Sequence, residues 1–203
     1  DANGYRKMAI IIKTEGDEWD ETIDQSKSIN REIKATGEEV IKKVTEMGLV
    51  GMGGATFPSH VKLAVPSGKT CNYLIINAVE CEPYLTSDHR LMLEKGEEIL
   101  IGVQLLMKAL KVDRAIIGIE NNKPDAIKHL TQLAANFKGI TIEPLKVQYP
   151  QGGEKQLIDA CIKRQIPSGK LPIDVGAVVQ NIGTAYAVYE AVQKNKPLIE
   201  RVI

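Results

Sequence analysis

Three short segments carry residue types whose spacing suits chemistry. The first is Gly51-Met52-Gly53-Gly54-Ala55-Thr56-Phe57-Pro58. Glycines let backbone N–H groups approach an anion or a flat ring with no Cβ in the way. The segment is not a Walker A loop, because no Gly-Lys-Ser/Thr follows at the required spacing. It is a poor dinucleotide fingerprint as well: Thr56 stands where the third glycine belongs, and a helix precedes it where a strand should. A tight packing turn is the competing reading. Lys62, four residues past Pro58, is either a cation for a phosphate or a solvated side chain.

The second segment is Asn77-Ala78-Val79-Glu80-Cys81-Glu82-Pro83, directly after an apolar run. Two carboxylates two residues apart at a strand end can face one cleft. With Asp88 and His89 they can ligate a metal, contact a ribose-type ligand, or lie in a solvated loop. The third is Tyr149-Pro150-Gln151-Gly152-Gly153-Glu154, where paired glycines before a helix suit an anion or an ordinary βα turn. Near the end, Gln180-Asn181-Ile182-Gly183-Thr184 offers two side-chain amides at another strand-to-helix turn. His60, His89 and His129 are scattered, and no Ser/His/Asp arrangement is legible. Cys71, Cys81 and Cys161 have no CxxC spacing, which fits a reducing compartment and gives no four-cysteine cluster from this chain alone. Cys81 lies beside a candidate site, where a small buried residue is the simpler reading.

These segments need elements to hold them. The chain has 203 residues, 43% hydrophobic and 26% charged, which is ordinary globular composition for one domain with an appendage. Twenty-six Lys and Arg balance 26 Asp and Glu, so no net positive face argues for nucleic acid. Aliphatic residues must build the core, since only two Phe, six Tyr and one Trp are present. No apolar run reaches transmembrane length; residues 99–110 are interrupted by Gln104 and Lys108. The chain opens at Asp1 without a basic-then-apolar leader and ends at Arg201-Val202-Ile203 in what reads as a strand, as expected for a piece of a longer protein.

Residues 8–12 read as a short β-type run, followed by a polar stretch around Trp19. Thr36-Gly37-Glu38-Glu39 has capping-box spacing and predicts a helix ended by Gly48. The pattern then predicts a strand at 73–76, a helical region over 88–111 broken near Gly96, and a strand at 114–119. A helix capped by Asn122 follows, with Ile127, Leu130, Ala134 and Phe137 on one face. Next come a strand at 140–147, a helix at 154–164, a Pro/Gly loop at 165–176, a short strand at 177–180 and a helix at 183–194. Such alternation predicts an α/β fold, a largely parallel sheet with helices on both faces, after a short β-type N-terminal remnant.

Taken together and in order, the glycine-rich segment through Lys62, the run from Asn77 to Pro83, Asp88-His89-Arg90-Leu91-Met92, the run from Tyr149 to Glu154, and Gln180 to Tyr186 resemble the RnfC family. RnfC is the C subunit of the Rnf ion-translocating ferredoxin:NAD oxidoreductase. Its core is similar to the flavoprotein subunit of respiratory complex I, which binds FMN and NADH. The resemblance runs from about residue 31 onward. It implies that 1–30 is the end of a preceding small β module (a barrel-sandwich hybrid-like unit) and linker, 31–196 an FMN/NADH-binding α/β domain, and 197–203 the start of a following domain.

The resemblance also implies roles. Gly51, Gly53, Gly54 and Ala55 match the loop along the flavin and its phosphate, and Lys62 the lysine that follows it. Asn77, Glu80, Tyr149, Gly152, Gly153, Glu154, Gln180, Asn181 and Thr184 match cofactor-site positions. Phe57, Glu82 and Glu154 match the NADH side. Val79 departs from the acidic residue of complex I, Gly153 from a glutamate and Leu63 from an aromatic, and residues 165–176 lack the clamping aromatics. The implied function is hydride exchange between NAD(H) and FMN, with electrons passed on to [4Fe-4S] clusters of the full-length protein. No catalytic residue beyond the flavin and no metal in this chain is expected. The implied partners are other Rnf subunits, including membrane-embedded ones, with the chain peripheral on the cytoplasmic face of a bacterial membrane. An RnfC-like flavoprotein of cobalamin reductase type, or a docking domain without flavin, are the alternatives.

Overall fold

The computed structural model describes residues 11–13, 15–16 and 18–199. The N-terminal β-type run lies mostly outside them; Ile11 and Ile12 are described, exposed and not in a strand. The closing residues 200–203 also lie outside.

Helix α1 (Gly37–Glu46) starts where the sequence places it. Thr36 Oγ1 accepts from the Glu39 N–H at 3.2 Å and Glu39 Oε2 accepts from the Thr36 N–H at 2.7 Å, closing the capping box. Gly48, at φ 65°, lets the chain leave the helix. A short helix, α2 (Ser59–Leu63), follows the glycine-rich segment. Then come β1 (Tyr73–Ala78), α3 (Ser87–Glu94) and α4 (Gly96–Leu110). The expected break at Gly96 is present. A Cβ there would lie 2.8 Å from a Leu133 methyl and 2.9 Å from the His129 ring, so a larger residue would have to displace these side chains of the next helix.

The remaining elements are β2 (Ala115–Glu120), α5 (Pro124–Ala134), β3 (Ile140–Leu145), α6 (Glu154–Ile162), one 3-10 turn (Pro172–Val175), β4 (Ala177–Asn181) and α7 (Ile182–Lys194). Three expectations are corrected. Asn122 does not cap α5: Lys123 holds the cap position, with no side-chain cap bond, and Pro124 opens the helix. The helix stops at Ala134, so Phe137 packs from the following turn. The segment 165–176 is not pure loop, since Pro172 starts a helical turn within it.

All four strands are parallel, in the order β3-β2-β1-β4. From β1 the chain steps to β2 and β3 in one direction, then returns past β1 to β4. Parallel crossovers are right-handed, so a reversal of direction moves the connecting helix to the other face. The packing follows that rule. Leu74 and Ile76 of β1 join α1, α4, α5 and α7 in the larger core, whereas Ile75 meets Leu157 and Ile158 of α6 in the smaller one. The reversal between β1 and β4 opens a crevice beyond their carboxyl ends, where ligands of such sheets bind.

At the far end of α7, residues 18–35 form no regular element but are tied to the helix. Lys194 Nζ donates to Asp24 Oδ2 and Ser28 O at 2.6 Å each, and to Ser26 Oγ at 3.2 Å. Gln193 Nε2 donates to the carbonyls of Asn30 and Glu32.

Candidate functional site

The glycine-rich segment is a closed loop anchored at its base. Val50 and Pro58 form an antiparallel bridge, and the Gly51 N–H donates to Phe57 O at 2.8 Å. The Met52 N–H donates to Thr184 Oγ1 at 3.1 Å. Thr184 is fully buried in the first turn of α7, so it supports the loop from beneath and does not line the cleft. Gly53 lies on the Asn181 side chain: a Cβ there would sit 2.9 Å from Nδ2. At Gly54 a Cβ would meet no protein atom within 4 Å, and φ is outside the left-handed region. Neither packing nor backbone conformation explains that glycine. A side chain at that position would enter open space at the cleft.

Two adjoining clefts lie beyond β1 and β4. They share Gly53, Asn77, Gly152 and Asn181. One, of about 270 Å³, is lined further by Gly51, Gly54, Ala55, Phe57, Lys62, Glu154 and Gln180. The other, of about 380 Å³, is lined further by Glu80, Glu82, Tyr149, Gly153, Cys81 and Asp88. The topology thus brings together the three segments and the Gln180-Asn181 turn; Thr184 is one layer down, and His89 lines neither cleft, its ring engaged with Asp125. Asn77 and Asn181 are direct partners in the β1–β4 register.

The side chains fall into two kinds. Some are committed to protein partners. Asn77 Nδ2 donates to Gly152 O at 2.9 Å and its Oδ1 accepts from the Val79 N–H, tying the third segment to the second. Glu80 accepts from the N–H groups of Asp88 (2.7 Å) and His89 (3.0 Å), so both its oxygens cap α3. Lys62 Nζ bridges Glu154 Oε1 at 3.1 Å and Val179 O at 3.2 Å, across the mouth of the smaller cleft. Others have capacity to spare. Gln180 is 2% exposed and its Nε2 has no partner. Phe57 and Tyr149 are exposed at the rim.

Charge around the second cleft is unevenly balanced. Burial pushes the Asp88 carboxyl up to about 6, against the hydrogen bond it accepts from Asn181, with Glu80 adding to the rise. Glu82 holds the Tyr149 phenol above its ordinary value by its charge and by a hydrogen bond. Behind Asp88, Lys123 and Glu120 form an ion pair at 3.0 Å, both buried. The sequence alone shows neither the Asp88–Asn181 bond nor this pair. Among the described residues no three His, Cys, Asp or Glu converge on a metal position. The three cysteines are unpaired, and burial holds the Cys161 thiol up at about 12.

Comparison with known proteins bears on the family and the fold. The sequence pattern of the Nuo51 FMN-binding domain matches residues 44–190. The chain is 48% identical over 201 residues to the C subunit of the proton-translocating ferredoxin:NAD(+) oxidoreductase complex of Clostridium ljungdahlii, covering 98% of this chain and 43% of that protein. It is 43% identical to the Na(+)-translocating counterpart of Acetobacterium woodii, covering 98% of this chain and 45% of that one. The chain therefore spans less than half the length of these relatives. Among solved structures, an NAD+-reducing [NiFe]-hydrogenase in the air-oxidized state superposes with a TM-score of 0.67 at 26% identity, over 77% of this chain and 30% of that one. The expectation of an RnfC-type core stands, and the chain belongs to the Nuo51 FMN-binding domain family.

Proposed function

We propose that this chain is the flavin and nicotinamide-nucleotide module of an RnfC-type subunit in an ion-translocating ferredoxin:NAD oxidoreductase. FMN is held beyond the carboxyl ends of β1 and β4, and NAD(H) is taken up alongside it. The observation that carries this reading is Gly54. It lines the smaller cleft and meets no protein atom where its Cβ would be, so the loop leaves open the space a flat ring needs. The buried Gln180 amide, lacking a partner in the same cleft, supports it.

Bound FMN supplies hydride acceptance from NADH and release of electrons one at a time. The chain's own residues bind and orient. Gly51, Gly53, Gly54 and Ala55 offer backbone surface, and Lys62 offers a cation that Glu154 already holds at the cleft wall. Gln180 offers its free N–H groups. The nucleotide side is assigned to Glu82, which lines the larger cleft, and to Phe57, which is exposed on the glycine-rich loop of the smaller one. Onward transfer needs clusters bound by thiolates, which this reading assigns to the rest of the full-length protein. The partners are the other subunits of such a complex, membrane-embedded ones among them, with the module at the cytoplasmic face. No helix among the described residues is long and apolar enough to cross a membrane.

The test is an FMN titration of the folded chain by fluorescence quenching, followed by anaerobic addition of NADH. Saturable quenching and bleaching of the bound flavin are expected. A folded chain that leaves FMN fluorescence unchanged overturns the reading in favour of a docking domain.

A further inference from the structure

Asn181 ties several parts of the site together. Its Oδ1 accepts from the Gly183 N–H at 2.8 Å and opens α7. Its Nδ2 donates to Asp88 Oδ2 at 2.9 Å, with a longer approach to Asn77 O at 3.5 Å. The amide plane is thus held at both ends. The glycine loop rests on it, because the missing Cβ of Gly53 would lie 2.9 Å from Nδ2. Asp88 is in turn fixed by α3, whose N-terminus is tied to Glu80.

We infer that Asp88 is a positioning residue: its carboxylate orients the Asn181 amide and so sets the surface on which the glycine loop lies. This rests on the reading of the cleft as the FMN site.

The groups facing Asp88 come from every neighbouring element. Glu80 arrives from the loop after β1, Lys123 from the start of α5, and Asn181 from the start of α7. The missing Cβ of Gly183 would lie 3.8 Å from Asp88 Oδ1, so the first turn of α7 is also close. His89, next on α3, is engaged with Asp125 at 2.9 Å. With the carboxyl raised to about 6, protonation falls within an accessible range. Above it, the ionised oxygen takes a charge-assisted bond from Asn181; below it, the neutral acid takes a weaker one. FMN affinity is therefore expected to weaken as pH falls through about 6.

The experiment compares wild type with Asp88→Asn, which keeps the shape and removes the charge. FMN dissociation constants are measured by fluorescence quenching from about pH 5 to about pH 8. The FMN phosphate titrates in this range too, so the quantity read is the ratio of the two constants, from which that effect cancels. The variant is expected to bind about fivefold more weakly at the upper end and equally at the lower end, the difference between a charge-assisted and a neutral hydrogen bond. A second readout needs no ligand: the Asn181 side-chain amide resonance of wild type should titrate near pH 6. A ratio that is constant with pH, or an Asn181 amide that does not titrate, overturns the inference. Absence of FMN binding at every pH overturns the flavin reading instead, and the amide titration still decides the role of Asp88.

Discussion

The two ends of α7 are built on opposite terms. At its carboxyl end the protein completes its own bonding. Lys194 is buried, yet its ammonium meets Asp24, Ser28 and Ser26 oxygens. The hydrogen bond from Lys194 holds Asp24 down at about 2, below its ordinary 3.8. At its amino end the protein leaves bonding capacity unused. Gln180 keeps a buried amide without a partner, and Gly54 keeps open space. Asp88 is pushed the other way from Asp24, up to about 6. The signs follow from linkage. Asp24 contributes stability above its ordinary value that is lost as pH falls toward 2. Asp88 keeps a proton that the unfolded chain has already lost, so its contribution declines as pH rises from 3.8 to about 6. One end serves the fold; the other tolerates unfavourable burial where a ligand is expected.

The sharpest way to break this contrast is Gly54→Val. A Cβ at this position touches nothing in the protein, so stability should stay within about 0.5 kcal/mol of wild type, as for a surface substitution. FMN affinity should fall about a hundredfold or more, equivalent to roughly 3 kcal/mol of overlap with the ring. Thermal unfolding and an FMN titration read the two effects separately. A folded variant with unchanged FMN affinity would remove the glycine loop from the site.

Lys194→Met probes the other end. The slightly shorter apolar side chain fills most of the space but leaves the Asp24 carboxylate and the carbonyl of Ser28 without their donor. The loss should be about 2 kcal/mol in urea unfolding, typical of a broken buried polar network. FMN affinity should stay within about twofold, because the contacts removed belong to the fold. Equal damage to stability and to binding would show that the two ends are not independent.

What was legible in the sequence follows the same division. Local devices were readable: the Thr36 capping box, the break at Gly96, and the apolar run Leu74-Ile75-Ile76 that marks a strand buried on both faces. The glycines and carboxylates of the site were readable by type. Asn122 misled because its oxygen is not used as a cap; Pro124 fixes the helix start without it. The rest depended on topology. Asn181 and Asp88 are 93 residues apart, and only the return from β3 past β1 brings them into contact. Thr184 is expected from the resemblance at the cofactor, and only the fold shows that its hydroxyl is buried and accepts from the Met52 N–H. The strapping of residues 18–35 onto α7 is likewise invisible locally, since a polar stretch with a lone Trp19 carries no periodicity.

The smallest expected effect separates the two clefts from each other. Glu82 lines the larger cleft and not the smaller one. Its charge and hydrogen bond hold the Tyr149 phenol above its ordinary 10. Glu82→Gln preserves shape and hydrogen-bonding reach but removes the charge. If a ribose hydroxyl donates to this carboxylate, NADH affinity should fall about three- to fivefold, the cost of replacing a charge-assisted acceptor with a neutral one. FMN affinity should be unaltered, since no flavin-side contact is touched. The Tyr149 phenol should return toward 10, read by an ultraviolet titration of the ligand-free chain, which verifies that the substitution acted locally. A shift of the phenol with no change in NADH affinity would place the nucleotide elsewhere. Equal losses for NADH and FMN would show that the two clefts act as one.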